Sequence, residues 1–253
     1  MSAHLFPHSL SADQPVQLGL VVLQADETIE PDMRRLFGRE AEVLVTRIAS
    51  GEEVTPETLA AMETHLGQSA SLLPGGARFS ALAYACTSGA AQIGPARVAE
   101  ILRAETGVAQ ITDPVSALTA ACSALGVTRL GLLSPYVAEV SDRIRTVLAE
   151  AGIATPVFGS FNVAEEARVV RIAPASIRDA AVSLAQEGGI EALFLSCTNL
   201  RTLDLIEELE ARTGLPVLSS NQVLAWHLAR CAEVHLAPGS WGRLASHSVS
   251  LRS

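Results

Sequence analysis

Aromatic residues are scarce, making up 4% of the 253 residues, so the apolar 49% is mostly Ala, Leu, Val and Ile. That choice of core suits buried parallel strands flanked by helices. Positive charge is also in short supply. The formal charge is −9, and no basic run appears. Wide nucleic-acid binding needs clustered cations against the phosphates, so it is excluded as an expectation. No stretch approaches the ~20 continuous apolar residues that would span a bilayer, so no membrane partner is expected. The first fifteen residues are polar, with no apolar segment long enough for a signal peptide, and a cytoplasmic protein is expected. The four cysteines show neither CxxC nor metal-ligand spacing, which excludes a disulfide framework. The six histidines lie in no triad-like or metal-like spacing either.

The length suits one large α/β domain or two compact halves. Short apolar runs read as strands at Leu18–Leu23, Glu42–Arg47, Ala81–Ala85, Val108–Thr112, Arg129–Ser134, Thr155–Phe158, Ala192–Ser196 and Val217–Ser219. Helical patterns lie between them at Thr55–Leu72, Gly94–Thr106, Pro114–Leu125, Val137–Ala151, Pro174–Glu187, Leu203–Arg212 and Gln222–Cys231. This alternation predicts βαβ units and parallel sheets. Gly107, Gly126, Gly152 and Gly214 stand where helices should end in left-handed caps. Pro74-Gly75-Gly76 reads as a turn, because no phosphate-loop Lys-Ser/Thr follows it.

The chain also repeats itself. Tyr84-Ala-Cys-Thr-Ser88 follows one apolar strand, and Leu195-Ser-Cys-Thr-Asn199 follows another about 110 residues later. Each is followed by a helix, then by Thr-Gly-Val from Thr106 or Thr-Gly-Leu from Thr213, then by a short strand. These strands end in Thr112-Asp113-Pro114 and in Ser219-Ser220-Asn221. Two related halves about a pseudo-twofold axis would turn both Cys-Thr segments toward one cleft.

In an open parallel sheet, ligands bind beyond the carboxyl ends of the strands, where Cys86 and Cys197 both fall. The following helix can offer N–H groups that favour anions and thiolates. Thr87, Ser88, Thr198 and Asn199 add short polar donors suited to a carboxylate or a developing enolate. A free thiol titrates near ~8.5, so a modest shift would bring both sulfurs to work near neutrality. Two reactions are open: proton exchange at a carbon between two thiols, or thiolate addition to an activated double bond followed by rotation and release. A single strand-end cysteine is usually core packing; the doubled context argues against that here. Cys122 and Cys231 lie within helical patterns and read as core. Tyr136, after Ser134-Pro135, either reaches the cleft or half-buries at a turn. Gln24-Ala-Asp-Glu27 is either a wall of the site or a solvated loop. Asn221 caps the last helix or meets the substrate.

Tyr84-Ala-Cys-Thr-Ser-Gly89, Leu132-Leu-Ser-Pro-Tyr136, Leu195-Ser-Cys-Thr-Asn199 and Gly214-Leu-Pro-Val-Leu-Ser-Ser220 together resemble the aspartate/glutamate racemase superfamily, from Gly19 to about Leu244. They look most like its maleate cis–trans isomerase and arylmalonate decarboxylase branch. The segment Leu20 to Glu30 is similar to the variant in ectoine-utilisation proteins. The resemblance implies an α/β fold of two pseudo-symmetric Rossmann-like halves with parallel sheets and the active site in the cleft between them. It places the first half at residues 16–113 plus 221–245, the second at 114–220, and a loose N-terminus at 1–15.

It further implies no metal and no organic cofactor, Cys86 and Cys197 as the catalytic pair, and substrate binding by Thr87, Ser88, Tyr136, Thr198 and Asn199. The first cysteine would be the nucleophile and the second the proton donor. The decarboxylase is similar but has Gly where Cys86 stands, so two thiols favour an isomerase or racemase of a small carboxylate. Decarboxylation, a racemase-like role in ectoine or hydroxyectoine utilisation, and non-catalytic metabolite binding are the alternatives. Where maleate isomerases carry Ser-Asn after the first strand, this chain has Gln24 to Glu27, and an acidic residue there suits an amino or hydroxy acid better than a dicarboxylate. A homo-oligomer is plausible from the apolar faces of such units.

Overall fold

The computed structural model describes residues 3–11 and 13–247. Residues 3–11 carry no regular structure. From there the chain alternates strongly. β1 (Gln17–Leu23), α1 (Ile29–Phe37), β2 (Glu42–Ile48), α2 (Pro56–Ala61), α3 (Glu63–Ala70), β3 (Phe79–Ala85), α4 (Thr87–Ile93), α5 (Pro95–Thr106) and β4 (Ile111–Thr112) build the first sheet and its cover. After α6 (Pro114–Leu125), the second sheet follows from β5 (Arg129–Ser134), α7 (Ala138–Glu150), β6 (Ala154–Ser160), α8 (Glu166–Val169), α9 (Pro174–Gln186), β7 (Ala192–Leu195), α10 (Ile206–Thr213) and β8 (Val217–Ser219). α11 (Ser220–Ala232) closes the run.

Both sheets are four-stranded and parallel, and both have the same order: β2-β1-β3-β4 and β6-β5-β7-β8. All eight expected strands are present, and two α/β halves of one topology are the observed architecture. The central strands are buried beyond their first residues in β1 and β5 and throughout in β7, as continuous apolar runs in a parallel sheet should be. Among the described residues no helix is long and apolar enough to cross a membrane.

The repetition extends to single hydrogen bonds. Thr106 Oγ1 donates to the Leu102 carbonyl at 2.7 Å and accepts from Val108 N–H at 3.3 Å. Thr213 does the same with Leu209 and Leu215 at 2.7 and 3.3 Å. Between each Thr and its strand stands a glycine at positive φ, Gly107 at 70° and Gly214 at 73°, a left-handed C-cap that a Cβ would strain.

Several elements differ from the pattern-based expectation. Thr55–Leu72 is two helices, broken at Met62. α1 and α4 are additional, and α8 is a single turn. The last helix is capped by Ser219, whose side chain accepts from Gln222 N–H in a capping box, and not by Asn221. Asn221 instead ties neighbouring elements together, its Nδ2 donating to Asp32 Oδ2 of α1 at 2.8 Å and to the Thr198 carbonyl at 2.9 Å. α11 therefore packs on α1 and β3 while holding the turn after Cys197. α6 lies against α11, where the two crossovers meet.

Burial pushes the Asp32 carboxyl up from 3.8 to about 6, against the pull of the Asn221 amide and the Arg35 guanidinium. The folded chain thus holds this proton more tightly than the unfolded one. Its stabilisation is complete below pH 3.8 and is lost as pH rises through about 6. Over that interval Asp32→Asn should gain stability relative to wild type by up to about 3 kcal/mol. Urea titration of both proteins at several pH values checks this; a stability difference that stays constant with pH refutes it.

Candidate active site

Cys86 leaves β3 in extended geometry and serves as the N-cap of α4, its Sγ accepting Gly89 N–H at 3.2 Å. Gly89 is required by close approach: a Cβ there would lie 2.3 Å from the Tyr84 hydroxyl and 3.0 Å from the Cys86 sulfur. Cys197 reaches an equivalent strand end differently. It has φ of +113°, a region that non-glycine residues rarely enter and that is stabilised only by its surroundings. No helix follows it directly; the turn itself supplies Asn199 N–H to Sγ at 3.2 Å. The two cysteine turns are joined through Ser220, whose Oγ accepts Cys197 N–H at 2.9 Å and lies 2.8 Å from Thr87 Oγ1. Thr198 Oγ1 donates across to the Ala85 carbonyl at 3.3 Å.

All seven residues singled out in the sequence (Cys86, Thr87, Ser88, Tyr136, Cys197, Thr198 and Asn199) line one small cavity of about 10 Å³. Leu23, Asp26 and Glu166 complete its wall. Both sulfurs are nearly closed off from solvent, Cys86 at 6% exposure and Cys197 at 3%. Cys122 and Cys231 lie elsewhere, one buried in α6 and one half-buried in α11. His227 bonds to Thr112 Oγ1 at 2.7 Å, away from the cavity. Among the described residues no cluster of His, Cys, Asp and Glu is arranged to hold a metal ion.

A directed chain of hydrogen bonds runs through this wall. Glu166 Oε1 accepts the Tyr136 hydroxyl at 2.7 Å, which occupies the phenol's only proton. The Cys197 thiol, 2.9 Å from the same oxygen, must then be the donor. The order is thiol to phenol to carboxylate. Glu166 Oε2 is held by Asn199 Nδ2 at 2.8 Å. Asn199 in turn accepts Glu27 N–H at 2.9 Å and donates to the Ala25 carbonyl at 3.3 Å. Its amide is committed to the protein, so Asn199 positions the wall instead of offering a free donor to a substrate. Ser88 Oγ, by contrast, is buried with no partner.

The cleft is more acidic than the sequence suggested. Asp26 sits in the segment expected as wall or loop, and it is wall. Its neighbour Glu27 points outward to Arg171 at 3.1 Å. Glu166 was not foreseen. It stands beside a half-buried Glu165, and its position depends on a contact across the halves: Glu166 N–H donates to the Glu52 carbonyl at 3.2 Å and Val54 N–H to the Ala164 carbonyl at 2.9 Å. No local pattern distinguishes the two glutamates.

Burial is the main cause of every shift in this cavity. It pushes the Cys86 thiol up to about 12, with the Gly89 N–H pulling back and the Glu166 charge adding to the rise. Cys197 is raised well above its usual range by burial and then by Glu166. Thiols poised near neutrality are therefore not what the resting site holds; both are protonated. The Glu166 and Asp26 carboxyls are themselves raised by burial, against the donors that bond them.

Similarity to known proteins agrees with this geometry. The chain is 28% identical over 240 residues to a maleate isomerase of Nocardia farcinica, covering 90% of this chain and 94% of that protein. It is 31% identical over 150 residues to the arylmalonate decarboxylase of Bordetella bronchiseptica, covering 58% of this chain and 62% of that one. The structure of a Nocardia farcinica maleate cis–trans isomerase variant, carrying a covalently bound succinylcysteine intermediate, superposes with a TM-score of 0.82 at 27% identity over 93% of this chain and all of that one. The model of the arylmalonate decarboxylase family matches residues 18–245, nearly the whole of both halves. The chain belongs to the arylmalonate decarboxylase family and is a cysteine-based enzyme.

Proposed function

We propose that the protein is a two-thiol isomerase or racemase of a small carboxylate, with Cys86 and Cys197 as its catalytic pair. The observation that carries this reading is the meeting of two cysteines from different halves at one closed cavity, each with its own hydrogen-bond support. One thiolate takes a proton from the carbon next to the substrate carboxylate. The electron pair moves into an enediolate, and the other thiol returns a proton to that carbon. In the addition variant, the Cys86 thiolate forms a C–S bond to one alkene carbon while the Cys197 thiol protonates the other; rotation and reversal release the isomer. The succinylcysteine seen in the Nocardia relative supports the addition variant. Neither route calls on a cofactor.

The two thiols have different proton outlets. Cys197 can pass its proton through Tyr136 to Glu166, which suits an acid–base partner. Cys86 has the Gly89 N–H in the first turn of α4, which suits a sulfur that carries negative charge. The substrate carboxylate is best served by the Ser88 hydroxyl, which is buried with no partner. Decarboxylation is the second reading, favoured by the family match, and it needs only one thiol.

Two measurements follow. By proton NMR in D₂O, Cys86→Ala and Cys197→Ala should each lose at least about a thousandfold of isomerisation or α-deuterium exchange on an active acid, with folding intact. Full activity of either variant sinks the two-thiol reading, while phenylmalonate decarboxylation that survives in Cys86→Ala and vanishes in Cys197→Ala moves the assignment to the decarboxylase. Separately, Glu166→Gln removes a negative charge beside both sulfurs. Alkylation of Cys197 by iodoacetamide, read by peptide mass spectrometry at fixed pH, should accelerate about tenfold for each pH unit by which its titration falls. Cys122 is the internal control, and an unchanged Cys197 rate would contradict the electrostatic account.

A further inference from the structure

We infer that the substrate is zwitterionic: a small carboxylate that also bears a protonated nitrogen, received by Asp26 and Glu166 on the wall of the cysteine cavity. The inference rests on reading that cavity as the two-thiol active site, and it names the class of molecule the site takes.

Asp26 is 4% exposed and lines the cavity. Its Oδ1 accepts the N–H groups of Thr28 and Ile29, each at 2.8 Å, which caps the start of α1. Its Oδ2 is buried and has no hydrogen-bond partner. The Thr198 hydroxyl lies beside this carboxylate but bonds to the Ala85 carbonyl. An unpaired buried carboxylate oxygen is costly, and native structures rarely keep one without a role. Glu166, on the same wall, accepts one hydrogen bond on each oxygen, so each retains a lone pair.

Among the described residues no cation answers these two groups inside the cavity. Its lining holds no Arg or His, and the chain contains no lysine at all. The nearest help is Arg47, which lies outside the lining. Its guanidinium donates to the carbonyls of Leu23, Gln24 and Asp26 at 2.9–3.0 Å and pairs with Glu30. It fixes the loop that carries Asp26 and leaves Oδ2 unmet. A dicarboxylate would add a second anion to this wall. A nitrogen with two or more N–H groups would give Asp26 Oδ2 its missing donor and use the spare lone pairs of Glu166. The opposite demand, a donor for a carboxylate, is met by the unpartnered Ser88 hydroxyl. The lining thus offers a partner for each charge. The same cation would offset the carboxylates whose field, after burial, holds Cys86 and Cys197 protonated.

The test is calorimetric titration of the full-length wild-type protein with matched pairs that differ only in ammonium against carboxylate: β-alanine with succinate, and 4-aminobutyrate with glutarate. At least one amino member should bind about tenfold or more tightly than its partner. Asp26→Asn, which keeps the capping oxygen, and Glu166→Gln should each erase that preference, with unchanged circular dichroism showing that they fold. Equal or tighter binding of the diacids, no binding by any amino member, or a preference that survives both substitutions overturns the inference. Deuterium exchange on the same set separates this result from the reading beneath it. Charge-selective binding with no exchange keeps the zwitterion and removes the two-thiol chemistry. Cysteine-dependent exchange into a diacid alone keeps the chemistry and removes the zwitterion.

Discussion

The hydroxyl of Ser220 holds the two halves of the site in register. It is fully buried at the first turn of α11, accepts the backbone N–H of Cys197 and contacts the hydroxyl of Thr87, the residue after Cys86. A hydroxyl has one proton and two lone pairs, so it can serve both neighbours at once. Without it, a buried N–H would stand unpaired on the residue whose backbone is already strained, at a cost of roughly 1–3 kcal/mol. Asn221 adds the next bonds, to the Thr198 carbonyl and to Asp32. The spacing between the sulfurs is therefore set by a third element, the helix that crosses back to the first sheet, and not by either cysteine turn alone.

Four acidic groups share this small volume: two thiols and the carboxyls of Asp26 and Glu166. In a medium poor in water each charge penalises the next, so the protons stay on the sulfurs. The carboxylates retain what charge they have because donors are built around them, backbone N–H groups for Asp26, and a phenol and an amide for Glu166. Both thiols of the resting site are thus held in the protonated form.

The fold was largely legible from the sequence because parallel strands announce themselves. Runs such as Leu18–Leu23 and Arg129–Ser134 are apolar, short and followed by turn residues, and all eight strands lie where those runs predict. Helices with few turns left weaker marks. α4 is Thr-Ser-Gly-Ala-Ala-Gln-Ile, too short and too small-sided for a 3.6-residue period, and α1 carries Pro31 in its first turn, which disguises it as a loop. The cysteine turns were visible because they occur twice. Glu166 was not, since its burial comes from a bridge between residues 53 and 165 in different halves, a contact no window of sequence contains. Asn199 was visible as a polar neighbour of Cys197, but its commitment to Glu27, Ala25 and Glu166 belongs to the tertiary structure.

The pseudo-symmetry of the sheets breaks where the chemistry lies. Cys86 is held in relaxed extended backbone, with its sulfur facing the start of a helix. Cys197 is held at φ +113°, a conformation that costs on the order of 1–3 kcal/mol, while Ser220 and Asn221 bind the backbone around it and Asn199 N–H holds its sulfur. Relaxing that backbone would turn Sγ away from the Tyr136 hydroxyl, so the strain and the thiol–phenol–carboxylate chain stand or fall together. A symmetric pair of sulfurs would handle both faces of a substrate alike. Here one sulfur has a helix to steady negative charge, and the other has an outlet for a proton. That difference between the two sulfurs follows from the backbone around them, with both still protonated at rest.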